Sequence, residues 1–289
     1  MLQKLKKGDK IALIAPSGAI QDENLISKGV ELFKKAGYEL VVYPTCNKKH
    51  LTFAGDETER LKDIKNAFKN KEIKAILCAR GGFGAIKLLD KINYKTIKNN
   101  PKIFCGLSDI TTLLLYINKK CNIPTFHTSM LSQLIENNNL EDFIKTINLE
   151  KKEIEPNKFF KSINPKKANG VLFGGNLATI SALVGRQDFI PNKKIILFLE
   201  DLNEPVYKID RMIQTIFRSN KLRKQVSALI IGEFTGINFE EIEYIFKDLS
   251  KELKIPIFYG YNISHNKNNS CAPIGIYSEI TENGKIILK

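Results

Sequence analysis

The stretch KIFCGLSDITTLLLYINK, residues 102–119, predicts a buried strand, a tight turn and a helix in direct succession. The strand is the short apolar run 103–105, and the helix is the segment 110–117, in which apolar residues are dense. Ser108 lies in the turn between them. At such a corner the hydroxyl stands above the end of the sheet, beside the first N–H groups of the helix, which suits a nucleophile that attacks a carbonyl.

The turn matches the G-x-S-x-G nucleophile motif only in part. Gly106 is present two residues before Ser108, but Ile110 stands where the second glycine would be. Ordinary capping of the helix by Ser108 or Asp109 is the alternative interpretation of the same residues.

The first half of the chain alternates strands with helices, which predicts a parallel sheet covered on both faces, with ligands bound beyond the carboxyl ends of the strands. The predicted strands before the Ser108 turn are 10–15, 38–43 and 75–79, and the predicted helices are 24–36 and 56–69. We therefore expect a flavodoxin-like N-terminal domain over 1–135.

A glycine-rich turn, Arg80 to Gly84, follows the third predicted strand. It lacks the lysine and hydroxyl residue of a P-loop, so a phosphate cradle is one interpretation among several. The same glycines could bring N–H donors to an oxyanion, or could supply the positive φ of a plain tight turn. Arg80 could hold a substrate carboxylate or be structural.

The second half of the chain differs from the first in composition and in the pattern of its apolar residues. Residues 136–169 are rich in Asn, Lys, Glu and Pro, and we interpret them as a linker that contains a short helix near 140–147. From 170 to 289, apolar strands and amphipathic helices predict a mixed α/β, β-rich domain. Its predicted strands include 194–199, 226–231, 255–259, 275–280 and 285–288.

Three chemically active residues follow in the order Ser108, Glu200 and His265: a serine and an acid at strand ends and a histidine in a loop. They are the parts of a nucleophile, its orienting acid and its base. Their order alone leaves the alternatives open. His265 could be a solvated loop residue, and Glu200 could cap the next helix or pair with Arg211.

Composition excludes several other classes of function. The net charge of +14 comes mostly from lysines spread along the chain, with no basic stripe interleaved with aromatics, so we expect no nucleic-acid partner. No apolar stretch is long enough to span a membrane, and the first residues lack a signal-peptide pattern, which predicts a cytoplasmic protein. The three histidines and five cysteines show no metal-ligand or disulfide spacing, so we expect no metal or cofactor.

Several segments together resemble the serine L,D-carboxypeptidase family, which includes the murein tetrapeptide carboxypeptidases and the microcin C immunity peptidases. The resemblance covers most of the chain. The motifs that match the family are IALIAPSG at 11–18, ARGGFGA at 79–85, CGLSDIT at 105–111, GVLFGGNLATISALVG at 170–185, FLEDLNEPVYKIDRM at 198–212 and GYNISH at 260–265.

The resemblance implies a role for each candidate residue. Ser108 is the expected nucleophile, His265 its general base, and Glu200 the acid that orients the histidine, with Glu204 in the same motif as the alternative acid. The expected oxyanion hole is made by the backbone N–H groups of Asp109 and of the turn Gly81-Gly82.

The implied activity is a cytosolic, metal-independent removal of the terminal D-alanine from muropeptide tetrapeptides during cell-wall recycling, by an enzyme that pairs as a homodimer. One motif departs from the family pattern: His127-Thr128-Ser129-Met130 replaces His-Gly-Pro-Met, which bears on substrate preference. Cleavage of peptidyl or aminoacyl nucleotides, and a binding protein of the same fold without catalysis, are the alternatives.

Overall fold

The computed structural model describes residues 2–137 and 140–289. They form two compact units, Met1–Glu150 and Lys151–Lys289. Residue 1, and residues 138 and 139 of the predicted linker, lie outside the described residues.

The first unit is built on a parallel sheet. Its strands are β1 Lys10–Ile14, β2 Glu39–Val42, β3 Ile73–Cys78, β4 Ile103–Gly106 and β5 Thr125–His127. Its helices are α1 Asn24–Lys35, α2 Glu57–Lys69, α3 Tyr94–Asn99, α4 Thr111–Cys121, α5 Leu131–Asn137 and α6 Leu140–Ile147, with 3₁₀ turns at Pro44–Asn47, Ala85–Leu88 and Ser108–Ile110. Within the unit the strand order is β2-β1-β3-β4-β5, all parallel, which confirms the flavodoxin-like prediction.

Apolar burial explains why these segments take this arrangement. Ile11 to Ile14 of β1 are at most 1% exposed, as expected for a strand covered on both faces of a parallel sheet. Helix α4 is buried from Thr111 to Ile117, which matches the density of apolar residues in its sequence. Helix α2 begins at a capping box made by Asp56 and Glu59, which satisfies two N–H groups of the first turn.

The second unit contains a mixed sheet. Its strands are β6 Glu153–Ile154, β7 Lys161–Ile163, β8 Ala168–Asn176, β9 Ile195–Leu202, β10 Val226–Thr235, β11 Ile257–Tyr259, β12 Ala272–Ile274, β13 Tyr277–Ile280 and β14 Ile286–Leu288. Its helices are α7 Leu177–Leu183, α8 Val206–Phe217, α9 Asn220–Gln225 and α10 Phe239–Leu253. The sheet order is β6-β14-β13-β8-β9-β10-β11-β7, in which β8 to β11 are parallel and the outer strands antiparallel. In the described part of the chain, no helix combines the length and apolarity needed to cross a membrane.

The predicted linker carries regular structure. It holds α6, which the sequence indicated, and the strands β6 and β7, which it did not. These strands have two and three residues and pair antiparallel with β14 and β11. Strands this short have too few residues to show a period of two, so only their partners in the sheet reveal them.

Candidate active site

Ser108 occupies the turn between β4 and α4 in a strained backbone conformation. Its φ is 63°, in the left-handed region that non-glycine residues rarely adopt. A residue held there costs on the order of 1 to 3 kcal/mol, and such residues concentrate at active sites. The backbone N–H of Asp109, next in the chain, has no hydrogen-bond partner among the described residues. The turn therefore presents a hydroxyl and a free donor side by side.

The glycine turn lies directly against Ser108. A side chain at Gly81 would place its Cβ 2.7 Å from Ser108 Cβ, closer than real Cβ contacts come, and 3.1 Å from Ser108 Oγ, which is also tight. The Gly81 N–H donates to Met130 Sδ at 3.1 Å, a weak acceptor that a stronger one can displace. Gly82, at φ 102°, instead packs on Gly18. Of the two glycines predicted as oxyanion donors, Gly81 is the one that borders the serine.

The carboxylate of Asp109 links the loops around Ser108 by hydrogen bonds, a role that the sequence did not reveal. It accepts hydrogen bonds from Ser17 Oγ at 2.5 Å and from the Ala85 N–H at 2.8 Å. Burial is the largest influence on its pKa, which is raised above the ordinary value despite these bonds. The carboxylate thereby joins the loop after β1 and the end of the glycine turn to the residue that follows Ser108.

A buried arginine completes the same network. Arg60 is 1% exposed, and its Nη1 donates to the carbonyl oxygens of Pro16 at 3.0 Å and Gly84 at 3.1 Å. A charged residue on the apolar face of α2, one turn before Ile64, was the signal in the sequence that could have indicated this role.

Arg80, in the glycine turn, has a structural hydrogen bond: it donates to the Ala19 carbonyl at 2.6 Å.

In the second unit, Glu200 and His265 form a hydrogen-bonded pair. Glu200 Oε2 lies 2.7 Å from His265 Nδ1, and the carboxylate side chain is fully buried, while the histidine side chain is 9% exposed. Glu200 is near the end of β9, as predicted, and the loop after β11 carries His265. Glu204 instead forms an ion pair with Lys208 at 3.5 Å. The geometry therefore associates Glu200, rather than Glu204, with the histidine.

Hydrogen bonds within its loop hold His265 in place. Asn269, 8% exposed, accepts the Ser264 N–H at 2.9 Å through Oδ1. Ser264 Oγ in turn accepts the Asn266 N–H at 3.0 Å. Hydrogen bonds thus fix both residues that flank the histidine. The loop that carries the imidazole is ordered by its own hydrogen bonds and is not a solvated loop.

The pKa of His265 reflects two opposed influences. Burial, the largest single one, lowers it, while the hydrogen bond and charge of Glu200 and the charge of Asp201 together raise it above the ordinary 6.5. Burial also raises the pKa of Asp201 to about 6. An imidazole whose Nδ1 is bonded to a buried carboxylate takes up a proton at Nε2, which is the chemistry of a general base.

The predicted residues thus assemble within each unit: Ser108, Asp109 and Gly81 in the first, and Glu200 and His265 in the second. Two family models match the chain, the LD-carboxypeptidase N-terminal domain over residues 11–128 and the LD-carboxypeptidase C-terminal domain over 169–280. The chain belongs to the LD-carboxypeptidase family. An LD-carboxypeptidase hydrolyses peptide bonds, so the chain is a member of a hydrolase family.

Individual relatives agree with this assignment. The chain is 29% identical over 285 residues to a probable murein peptide carboxypeptidase of Bacillus subtilis, with coverage of 94% of this chain and 88% of the relative. It is similar in structure to an MccF-like protein from Bacillus anthracis, with a TM-score of 0.90, 25% identity and coverage of 99% and 98%. A muramoyltetrapeptide carboxypeptidase from Oxalobacter formigenes matches with a TM-score of 0.83, 27% identity and coverage of 96% and 97%.

Proposed function

We propose that the chain is a serine-type L,D-carboxypeptidase that removes the terminal D-alanine from muropeptide tetrapeptides. The observation that carries the proposal is the left-handed backbone of Ser108 at a strand-to-helix turn, pressed against Gly81. The pairing of Glu200 with His265 supports it, because a nucleophilic serine needs a base with an orienting acid. The carboxypeptidase names of the relatives supply the substrate class.

The proposed reaction runs through an acyl-enzyme. His265 accepts the Ser108 proton as Oγ attacks the carbonyl carbon of the L-configured residue before D-alanine. The protonated histidine then gives that proton to the departing D-alanine amine as the peptide bond breaks. Water, deprotonated by the same histidine, attacks the ester carbonyl, and the histidine returns that proton to Ser108 Oγ as the ester bond breaks and the shortened peptide leaves. Glu200 stabilises the imidazolium that forms in each half of the reaction.

Gly81→Ala tests the proposed oxyanion donor. The new Cβ would collide with Ser108, so either the glycine turn or the serine must shift, and the geometry of the hole is lost. We expect kcat for D-alanine release to fall about 10²- to 10³-fold, the usual effect of losing one oxyanion donor. Gly185→Ala, at a glycine with open space around it and no left-handed φ, is the control for a glycine change alone. Unchanged kcat in Gly81→Ala would contradict the assignment.

The pKa of His265 predicts the acid side of the pH profile. A general base must be neutral to accept a proton, so kcat/KM should fall as pH drops through the pKa of His265 in the free enzyme. Because that pKa is raised above 6.5, the half-maximal point should lie above 6.5. The measurement is kcat/KM against pH around neutrality, with circular dichroism at each pH to show that the protein stays folded. An acid limb at or below 6.5 contradicts the prediction.

We place the reaction in the cytoplasm, in the recycling of cell-wall peptides, and expect a homodimer. Thiols that form no disulfide are the state found in a reducing compartment, and this is the state of the five cysteines, all of them buried: Cys46, Cys78, Cys105, Cys121 and Cys271. Cell fractionation tests the compartment, and light scattering of the purified chain tests the dimer.

The deciding experiment is the release of D-alanine from a purified muropeptide tetrapeptide, followed by chromatography, with and without a chelator. We expect release at the same rate in both, since the proposed chemistry uses only side chains and backbone donors. A fluorophosphonate probe should label Ser108 and no other serine. If wild type releases no D-alanine, the proposed substrate is wrong, and if the chelator abolishes release, the proposed mechanism is wrong.

Cleavage of a peptidyl or aminoacyl nucleotide is the second candidate. The similarity to an MccF-like protein, at a TM-score of 0.90, favours it. A peptidyl-adenylate analogue offered beside the tetrapeptide separates the two, and we expect kcat/KM to be higher for the tetrapeptide.

A further inference from the structure

Ser17, in the loop after β1, is a serine that the proposed reaction does not use. The residue is fully buried, and its Oγ donates to Asp109 Oδ2 at 2.5 Å. Its backbone is fixed as well, because its carbonyl oxygen accepts the Ala54 N–H at 3.0 Å. A fully buried hydroxyl is closed to substrate, so any part that Ser17 plays in the reaction must pass through Asp109.

The residue after Ser17 joins this loop to the glycine turn. The Gly18 N–H donates to the Gly81 carbonyl oxygen at 2.9 Å, and a Cβ added at Gly18 would lie 2.8 Å from that oxygen. Gly81 in turn borders Ser108, and its N–H is one of the two proposed oxyanion donors. A series of contacts therefore runs from Asp109 through Ser17 and Gly18 to Gly81.

These contacts form a closed ring, because Asp109 follows Ser108 in the chain and Ser108 lies against Gly81. The two proposed oxyanion donors, the N–H groups of Gly81 and Asp109, belong to different segments of this ring. The bond between Gly18 and Gly81 is made by backbone atoms, whereas the bond between Ser17 and Asp109 is made by side chains. A substitution can therefore remove the second bond and leave the backbone of both donors intact.

A second connection joins the same two loops one residue earlier in each. Arg60 Nη1 donates to the carbonyl oxygens of Pro16 at 3.0 Å and Gly84 at 3.1 Å. The residues that follow these two, Ser17 and Ala85, are the donors to the carboxylate oxygen in the ring. Since the arginine still joins the loops when the Ser17 hydroxyl is removed, we expect that variant to fold, with a small displacement at the ring.

We propose that Ser17 is a positioning residue for the oxyanion hole: its bond to Asp109 holds the Gly81 N–H and the Asp109 N–H at the separation that the transition state requires. The oxyanion forms only as the carbonyl is attacked, so a misplaced donor raises the barrier to that step and leaves substrate binding unchanged. The inference rests on the proposed function, because the oxyanion belongs to the carbonyl that Ser108 attacks.

The experiment compares Ser17→Ala with Ser250→Ala. Ser250, in α10, is 4% exposed, and its Oγ donates to the Ile255 carbonyl at 2.9 Å, so each variant removes the hydroxyl of a buried serine and one hydrogen bond. We expect kcat for D-alanine release to fall about 10- to 100-fold in Ser17→Ala, the effect of a slightly misplaced group. Ser250→Ala should keep the wild-type kcat. Urea unfolding of both variants measures the loss of stability that they share.

Binding is measured separately from turnover. Calorimetry with the tetrapeptide should give equal affinities for Ser108→Ala and for the double variant Ser108→Ala/Ser17→Ala, because neither ground-state complex contains an oxyanion. A loss that appears in this affinity and not in kcat would overturn the positioning role.

Asp109→Asn tests the route through the carboxylate. Asparagine keeps an acceptor oxygen but loses the charge that strengthens the bond from Ser17, so we expect kcat to fall about tenfold. The double variant Ser17→Ala/Asp109→Asn should be no slower than the slower single variant, because both changes weaken one bond. A double variant slowed by the product of the two reductions would overturn the route through Asp109.

The outcomes separate this inference from the proposed function. If wild type releases D-alanine and Ser17→Ala has the same kcat as Ser250→Ala, the carboxypeptidase function stands and the positioning role is wrong. If wild type releases none, the proposed substrate is wrong, and labelling of Ser108 by the fluorophosphonate probe decides the positioning role, since the phosphonyl oxygen also needs the oxyanion donors. Labelling about tenfold slower or more in Ser17→Ala than in Ser250→Ala supports the role, and equal rates overturn it.

Discussion

Replacing Ser108 with alanine is expected to lower kcat for D-alanine release at least about 10⁴-fold, because no other group can form the acyl-enzyme. Binding should survive, since the change removes one oxygen atom and leaves the turn in place. The measurement is single-turnover release from the tetrapeptide, with substrate affinity determined by calorimetry. Activity within about tenfold of wild type would falsify the assignment of the nucleophile.

The strained backbone makes Ser108→Gly the informative companion variant. Both variants lack the hydroxyl and should be equally inactive, but glycine adopts a φ of 63° without the steric cost that alanine bears. We expect the free energy of unfolding of Ser108→Gly to exceed that of Ser108→Ala, because relief of the left-handed strain is worth about 1 to 2 kcal/mol and glycine's greater freedom in the unfolded chain costs only about 0.4 to 1 kcal/mol. A Ser108→Gly variant that is less stable than Ser108→Ala in urea would contradict strain of this size at the turn.

Replacing Glu200 with glutamine is expected to lower kcat by about 10⁴-fold. Glutamine can keep a hydrogen bond to Nδ1 of His265, but it removes the buried negative charge that stabilises the imidazolium. With that charge gone, burial dominates, so the pKa of His265 should fall and the acid limb of kcat/KM should move to lower pH. The predicted pair of effects, a slower reaction and an acid limb at lower pH, is specific to loss of the orienting acid.

Glu204→Gln is the matched control for Glu200→Gln. It lies four residues away in the same motif and pairs with Lys208, so its substitution should leave the acid limb where wild type has it. An NMR titration of His265 in both variants measures the pKa directly. If Glu204→Gln moves the limb and Glu200→Gln does not, the orienting acid has been misassigned.

Much of the fold was predictable because its signals are local. The apolar run of β4, the dense helix α4 and the alternation around them indicated a parallel sheet, and the strand order β2-β1-β3-β4-β5 confirms it. The short strands β6 and β7 were missed, since two or three residues at a sheet edge carry no periodicity of their own.

The residues of the candidate site likewise fall into those that the sequence could indicate and those that it could not. Strand ends, glycines and a loop histidine can be located in a sequence, so Ser108, Gly81, Glu200 and His265 could all be proposed from it. The buried roles of Asp109 and Arg60 could not, because their partners lie in loops distant along the chain. The choice between Glu200 and Glu204 was open for the same reason: both acids lie in one motif, and only the position of the His265 loop distinguishes them.

The sequence by itself determined the class of sheet in the first unit, the family and the residue types of the chemistry, because periodicity and motif are properties of neighbouring residues. Only the tertiary structure decided the left-handed φ of Ser108, the contact of Gly81 with it and the partner of His265. These features depend on distances between residues far apart in the chain, which packing sets and local pattern does not encode.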